Sequence, residues 1–418
     1  MKNMKMLPLS VVIGATLVCQ MAVADETDAN VIAQVGAEES VFFDEKQPQT
    51  LSPEMDIPEG IVFSGYARYG AHFAAGDKRY VQVGSTGAAV GRLGNETNGG
   101  EFQLAKAFQT ELGAIWDVVV MIDHWASDQW DSPGGLNLVK AYAGVTNIIP
   151  SQPQMYFWGG RDFHQRPQQN LNDYFWMQHD GQGGGFRNLD FGGAMFDLSF
   201  VAQVDKGESG LLGNDNGVYA VTSKLHDING GVGRLDFYAN YGFASDEAET
   251  DKHDETAWQV AAVMNFDWSS KLIVRYTDGG DDSVFDLAGD KQVLYTSYDG
   301  FYQISEPVEL EYLASYKRIS GDDVDKKNEY SAIVRPMYRW DDVHSTWLEA
   351  GYAKEDFDNG DELSGWKLTL SQNISMGGMS SSRPMLRFYA TAGEVDNQSA
   401  DSVKFDTLSL GAMFEAWW

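Results

Sequence analysis

Leu235-Asp236-Phe237-Tyr238-Ala239-Asn240-Tyr241-Gly242-Phe243 carries an apolar side chain at every odd position and mostly polar ones between them. A period of two belongs to an extended strand, whose successive side chains leave on opposite faces. The pattern recurs in Trp258, Val260, Ala262, Met264, Phe266 and Trp268, interleaved with Gln259, Asn265 and Asp267. It returns in Val308, Leu310, Tyr312, Ala314 and Tyr316, opposite Glu309, Glu311 and Lys317, and in Thr346, Leu348, Ala350 and Tyr352. The last run is Leu408, Leu410, Ala412, Phe414, Ala416 and Trp418. Alternation over about ten residues fits a membrane-crossing strand with one lipid face and one wet face, whereas soluble sandwich strands run nearer six. Aromatic residues at the ends of these runs suit girdles at two membrane interfaces. At roughly 20 residues per strand and connection, the stretch from Ile61 onward predicts an all-β fold, a transmembrane antiparallel β-barrel of about 18 strands.

The linkers differ in kind. Asp246–Glu255, Asp278–Asp286, Gly321–Glu329 and Asp356–Glu362 read as longer, solvated outer loops, and Asp267-Trp268-Ser269-Ser270 and Trp340-Asp341-Asp342 as tight periplasmic turns. The whole chain has 418 residues, of which 61 are acidic and 30 basic, giving a net charge of -31. Lys and Arg are nowhere concentrated, which argues against binding nucleic acid or an anionic lipid surface through a basic patch. The 12 Trp, 19 Tyr and 22 Phe sit in a chain of polar mean hydropathy, as expected where water-facing and apolar-facing residues alternate.

Lys2 and Lys5, the apolar stretch Leu7 to Val18, and Ala22-Val23-Ala24 before Asp25 read as a secretory signal over residues 1–24. Cys19 lies inside it, so the exported protein would carry no cysteine. Residues 25–60 hold ten acids against Lys46, with Pro48, Pro53 and Pro58, and predict a mobile acidic segment on the periplasmic side. Residues 61–418 are then the β-barrel, placed in the outer membrane of a Gram-negative cell.

In Phe63-Ser64-Gly65-Tyr66-Ala67-Arg68-Tyr69-Gly70, Ser64, Tyr66 and Arg68 share the face assigned to the lumen, and Glu415 and Trp417 do so on the last strand. Barrel closure pairs first and last strands, so Tyr66 and Trp417 should be neighbours on the inner wall. Aromatic rings in a wet lumen can stack on the apolar faces of sugar rings, while charged groups beside them exchange hydrogen bonds with hydroxyls. The bland alternative is that these rings only fill interior volume. The seven histidines show neither i,i+2 nor i,i+4 pairing, and Asp356-Phe357-Asp358-Asn359-Gly360 lacks the full calcium-loop spacing, so no metal site and no cofactor is expected. His344 and Ser345 are adjacent and leave a strand on opposite faces, and no nucleophile elbow or phosphate loop occurs, so no enzyme is expected.

Several stretches resemble the maltoporin family of outer-membrane sugar channels. They are Gly65-Tyr66-Ala67-Arg68, Arg92-Leu93-Gly94-Asn95-Glu96, Trp158-Gly159-Gly160-Arg161-Asp162-Phe163-His164-Gln165-Arg166 and Asp173-Tyr174-Phe175-Trp176. Asn188-Leu189-Asp190, Val334-Arg335-Pro336-Met337-Tyr338-Arg339-Trp340, Lys367-Leu368-Thr369-Leu370, Ser382-Arg383-Pro384 and the closing Trp417-Trp418 follow in order. The resemblance spans the barrel region and not residues 25–60. It implies an 18-stranded barrel, a homotrimer, passive transport of maltose, maltodextrins or related oligosaccharides, and a third loop folded inward over about Arg161 to Arg187. Gly181, Gly183, Gly184 and Gly185 would permit that loop's tight path.

Carried over by residue, Tyr66 and Trp417 match trail aromatics toward the exit, and Trp130 the entrance aromatic that a neighbouring subunit supplies. Arg68, Arg92, Glu101, Arg166 and Asp173 match polar positions that bond sugar hydroxyls, and Phe175 stands where the family's constriction tyrosine would be. Other positions depart from the pattern. Neither Gly99 nor Gly100 has a ring where a second trail aromatic belongs, two further positions fall on Leu272 and Ser381, and the constriction arginine finds Val139, with Lys140 beside it. With stacking at roughly 0.5–1.5 kcal/mol per ring, three missing rings weaken binding of a long chain by one to several orders of magnitude. The expectation is a sugar porin with weaker or different preference; the alternatives are a general diffusion porin and, from another class, a barrel enzyme or adhesin.

Overall fold

The computed structural model describes residues 60–75, 80–126, 134–204, 215–322, 324–378, 380–398 and 403–418. The predicted signal, almost all of the acidic segment, and Trp130 lie outside them. On the first side of the barrel stand β1 (Val62–Ala74), β2 (Gly99–Gln109), β3 (Ile115–Trp125), β4 (Asn137–Thr146) and β5 (Tyr156–Asp162). Two short pieces, β6 (Gln168–Gln169) and β7 (Tyr174–Phe175), pair with each other inside a loop. Next come β8 (Gly181–Asp190), β9 (Met195–Val204), β10 (Asp215–Asn229), β11 (Gly233–Ala244), β12 (Thr256–Phe266) and β13 (Ser270–Asp278). The wall ends with β14 (Gln292–Ser305), β15 (Val308–Ser320), β16 (Lys327–Arg339), β17 (His344–Phe357), β18 (Glu362–Ser375), β19 (Met385–Asn397) and β20 (Val403–Trp417).

Leaving β6 and β7 aside, these strands form one 18-stranded antiparallel sheet. It closes because β1 pairs with β20 as well as with β2, with Gly65 and Trp418 exchanging backbone hydrogen bonds of 3.0 and 3.1 Å. Closure removes the unpaired edges that a membrane would not tolerate.

The alternation read from β11 is realised side chain by side chain: Phe237, Ala239 and Tyr241 are exposed on the outer face, and Asp236, Tyr238 and Asn240 are buried on the inner one. Outward-facing Leu348, Leu368, Leu370, Phe388, Leu408 and Leu410 continue an apolar band that water would penalise and lipid does not. Two aromatic girdles border it. Phe266–Trp268 (4.4 Å) and Tyr338–Trp340 (4.5 Å) mark the short-turn end, and Trp258–Tyr276 (5.2 Å) and Phe200–Tyr219 (5.6 Å) the long-loop end. Among the described residues no helix is long and apolar enough to cross a membrane.

The lumen is filled by loops that fold back into it. Residues 80–98 lie along β16–β18: Ser85 N donates to Glu329 (2.8 Å), Leu93 N to Glu349 (2.9 Å), and Ser331 Oγ to the Ala89 carbonyl (2.5 Å). Residues 163–180 cross to the opposite wall, where Gln169 donates to Ser297 (2.9 Å) and Asp299 (2.6 Å), and Asn170 to Glu311 (3.2 Å). The two loops are laced together by Ala88 N to Asn172 O (2.7 Å) and Arg92 N to Leu171 O (3.0 Å). Gly87 sits at that crossing with φ 64°, and a Cβ there would come within 2.3 Å of the Asn172 carbonyl, so only glycine fits.

Two expectations need correction. The inward loop is shorter than Arg161 to Arg187, because Gly181, Gly183, Gly184 and Gly185 belong to β8 and pair with β5 and β9. There, the neighbouring strands' backbone approaches closely: a Cβ on Gly183 would meet the Phe200 carbonyl oxygen at 2.0 Å, and one on Gly185 that of Leu198 at 2.2 Å. The acidic stretch Asp278–Asp286 is also not a wholly solvated outer loop. Its Asp281 reaches Lys317 (2.7 Å) and Lys291 (2.6 Å), and Asp282 reaches Arg275 (2.9 Å). Arg275 and Lys317 are buried on the inner wall, and their uncompensated charges would be costly, so the carboxylates are drawn in to them.

Candidate functional site

Strand register alone places the core of the site. Tyr66 on β1 stands opposite Trp417 on β20 and Glu101 on β2, and all three point inward. Tyr66 donates its hydroxyl proton to Glu415 Oε1 (2.7 Å). Glu415 is almost wholly buried and gathers three guanidinium groups, with Arg92 at 2.9 Å, Arg383 at 2.6 Å and Arg387 at 2.9 Å. Arg387 also bonds Glu96. Such a carboxylate can exist ionised away from water only because it is paired and hydrogen-bonded on each oxygen.

One step toward the long loops, Arg68 meets Asp173 at 2.5 Å and donates to Thr97 through Nε and Nη2, both at 2.9 Å. Asp173 is carried at the tip of the inward loop with φ 55°, a conformation in which a short polar side chain bonds locally. The same tip brings Asp173 Oδ1 within 3.8 Å of Arg92. Arg68, Arg92 and Asp173, far apart in the chain, therefore form one charged network across the narrowed lumen.

On the inward loop, Arg166 is clamped between two rings, with its guanidinium carbon 4.0 Å from the centre of Phe163 and 4.1 Å from that of Phe175. Phe175 thus spends one face on Arg166, and its missing hydroxyl is consistent with a ring that orients a cation. Arg166 also reaches Asp180 at 3.4 Å. Lys140 adds a second cation here, 3.5 Å from Asp162 and 5.1 Å from the Phe163 ring centre. A register shift between β3 and β4 pairs Met121 with Lys140 and Ile122 with Leu138, leaving Val139 as the extra residue of a bulge. The cation beside Val139 is Lys140, directed to Asp162 and the Phe163 ring.

The structure brings together Tyr66, Arg68, Arg92, Asp173 and Trp417, and gathers Arg166, Phe175 and Lys140 around Phe163. Trp417 carries Arg383 over its ring at 4.3 Å. Leu272 points outward and is no lumen position, and Ser381 is buried near Arg383 in the turn after β18. Sequence reading missed Trp125. It is the last residue of β3, on the inward phase shared with Asp117, Val119, Met121 and Asp123, and that phase was its only signal. Among the described residues no group of three or more His, Cys, Asp or Glu side chains is gathered to hold a metal ion.

Comparisons agree with this geometry. The family model described as LamB porin matches residues 61–418. A maltoporin of Photobacterium profundum is 27% identical over 412 residues, covering 88% of this chain and 95% of that protein. A maltoporin of Vibrio cholerae (El Tor Inaba N16961) is 26% identical over 403 residues, covering 86% of this chain and 95% of its own length. Among solved structures, Pseudomonas aeruginosa OccD3 (OpdP) superposes with TM-score 0.50 at 11% identity, over 86% of this chain and 92% of that one, a likeness of fold alone. With its closed outer-membrane barrel, inward loops and family match over the entire barrel region, this chain belongs to the LamB porin family.

Proposed function

We propose that the protein lets oligosaccharides of the maltose series, or close relatives, diffuse down their gradient through the outer membrane. One observation carries the reading: Tyr66 and Trp417 lie side by side on the inner wall, bordered by the Arg68, Arg92, Asp173 and Glu415 network at the narrowing. Pyranose faces slide over the rings while the charged groups exchange hydrogen bonds with hydroxyls in turn. No bond is made or broken, and the names of the relatives point to the same sugars.

A weaker preference than that of a full-trail channel is favoured by outward Leu272 and by Arg383 covering one face of Trp417. Single-channel current in a planar bilayer, with maltooligosaccharides of rising length on one side, tests both points. Reversible, length-dependent block is expected; steady current at every length would leave a general diffusion porin.

A homotrimer is part of the proposal. β5 has only seven residues, which at about 3.3 Å each and a tilt near 40° stands roughly 18 Å tall, against a lipid band of about 25 Å. The outward face there is flat, with Ala143, Gly159 and Gly184 paired across β4, β5 and β8. A low, flat wall is better covered by another barrel than by lipid. Residues 1–24 would be removed on export, and residues 25–60 would remain in the periplasm.

A further inference from the structure

The family resemblance leaves a gap at Gly99, where the chain has no ring. A Cβ built on Gly99 would lie 2.4 Å from the His124 carbonyl oxygen and 2.4 Å from Cε3 of Trp125, its cross-strand partner on β3. The indole therefore lies over the bare backbone of Gly99, in the space that a side chain from β2 would otherwise take. It is only half-buried, so part of the ring still faces the lumen.

Its surroundings resemble those of a binding ring more than those of core packing. Tyr66 is 5.9 Å away between ring centroids, with the planes only 30° apart. The Arg68 guanidinium carbon is 5.2 Å from the Trp125 centroid. The Glu101 carboxylate, cross-strand from Tyr66 on β2, lies beside the Trp125 side chain. Register puts Trp125 one inward-facing step above Tyr66 toward the long loops, since Gly99 pairs with Arg68 and Glu101 with Tyr66.

We propose that Trp125 is the ring that replaces the one absent at Gly99, so that Trp125, Tyr66 and Trp417 form a continuous stacking track for a linear oligosaccharide within one chain. The loss of a side chain on β2 and the gain of an indole on β3 are then one change. Glycine stands at position 99 where the His124 carbonyl and the Trp125 ring together leave no room for a side chain. This deepens the oligosaccharide reading and rests on it.

The test is current block by maltohexaose in the intact protein and in Trp125→Ala, Trp125→Leu, Trp125→Phe and Tyr66→Ala, each checked for heat-modifiable migration of the folded barrel. Ala and Leu are expected to raise the half-blocking concentration about threefold to tenfold, the range one stacking ring commands, while Phe stays within about twofold. Leu fills the space without an aromatic face, so it separates stacking from packing and serves if Ala does not fold. Unchanged block in Ala or Leu, beside weakened block in Tyr66→Ala, overturns the role of Trp125 and leaves the sugar channel standing. No block in the unaltered protein overturns both.

Discussion

At the residue scale the site depends on Glu415. Its two oxygens receive Tyr66, Arg92, Arg383 and Arg387, and it is the negative charge that lets three guanidinium groups share one buried spot. Glu415→Gln keeps the shape and removes the charge. Breaking a buried ion pair by removing one partner costs about 3–5 kcal/mol, so thermal unfolding of the detergent-solubilised barrel should move down by many degrees. A transition unchanged within error would mean that the cluster is wet and exchanges its partners with water. The neighbouring pair of Tyr66 and Trp417 was legible in the sequence, because period two fixes the phase of each strand and closure brings first and last together. Lys140 was not legible as a lumen cation, since a one-residue bulge has no composition signature. Trp125 was overlooked for a related reason: its ring lies over a residue of another strand, and only the register says which.

Among the elements, strands follow from local alternation, while loops depend on what they meet. The inward loop is held by His179, whose Nε2 accepts a hydrogen bond from Val284 N at 3.2 Å. Burial, with the Arg275 charge nearby, pushes this imidazole down to about 3, and His164 on the same loop is shifted the same way by burial. Above the ordinary value near 6.5 both docked and undocked loops carry neutral histidine, and docking has its full strength. As pH falls below that value only the undocked loop takes up the proton, and at pH 5 docking through His179 is weaker by about 2 kcal/mol. Open-channel noise and proteolytic nicking within residues 163–180 should therefore rise between pH 7 and pH 5. Replacing both His164 and His179 by Gln should flatten that rise; an unaltered profile would place the titrating group elsewhere. The inward path of residues 80–98 and of Asp281 and Asp282 could not be read from the chain. Acidic, Gly-rich segments look solvated until the cations that claim them are seen buried on the inner wall, Arg275 on the strand that leads into the loop and Lys317 two strands on.

For the whole molecule, net charge and passage charge diverge. The chain is strongly acidic, yet at the narrowing Arg68, Arg92, Arg166 and Lys140 stand beside Asp173, Glu415, Asp180 and Asp162 in close pairs. Paired charges exert little field on a passing ion, so selectivity is expected from acids outside the narrowing, whose field salt screens within about 10 Å at 0.1 M and 3 Å at 1 M. The reversal potential across a KCl gradient should show cation preference near 0.1 M that largely disappears near 1 M. Preference that persists at 1 M would instead locate the selective charge in the constriction.

The track also straddles the point of closure. Tyr66 and Glu415 bond across a sequence separation of 349 residues, the two ends of the sheet meeting at one wall. That wall is the seam at which the sheet closes on itself. A sheet left open there would keep Tyr66 beside Trp125 but lose Trp417 from their side. On the proposed reading, the grip on an oligosaccharide would then report closure: the full track would exist only in chains whose first and last strands have met.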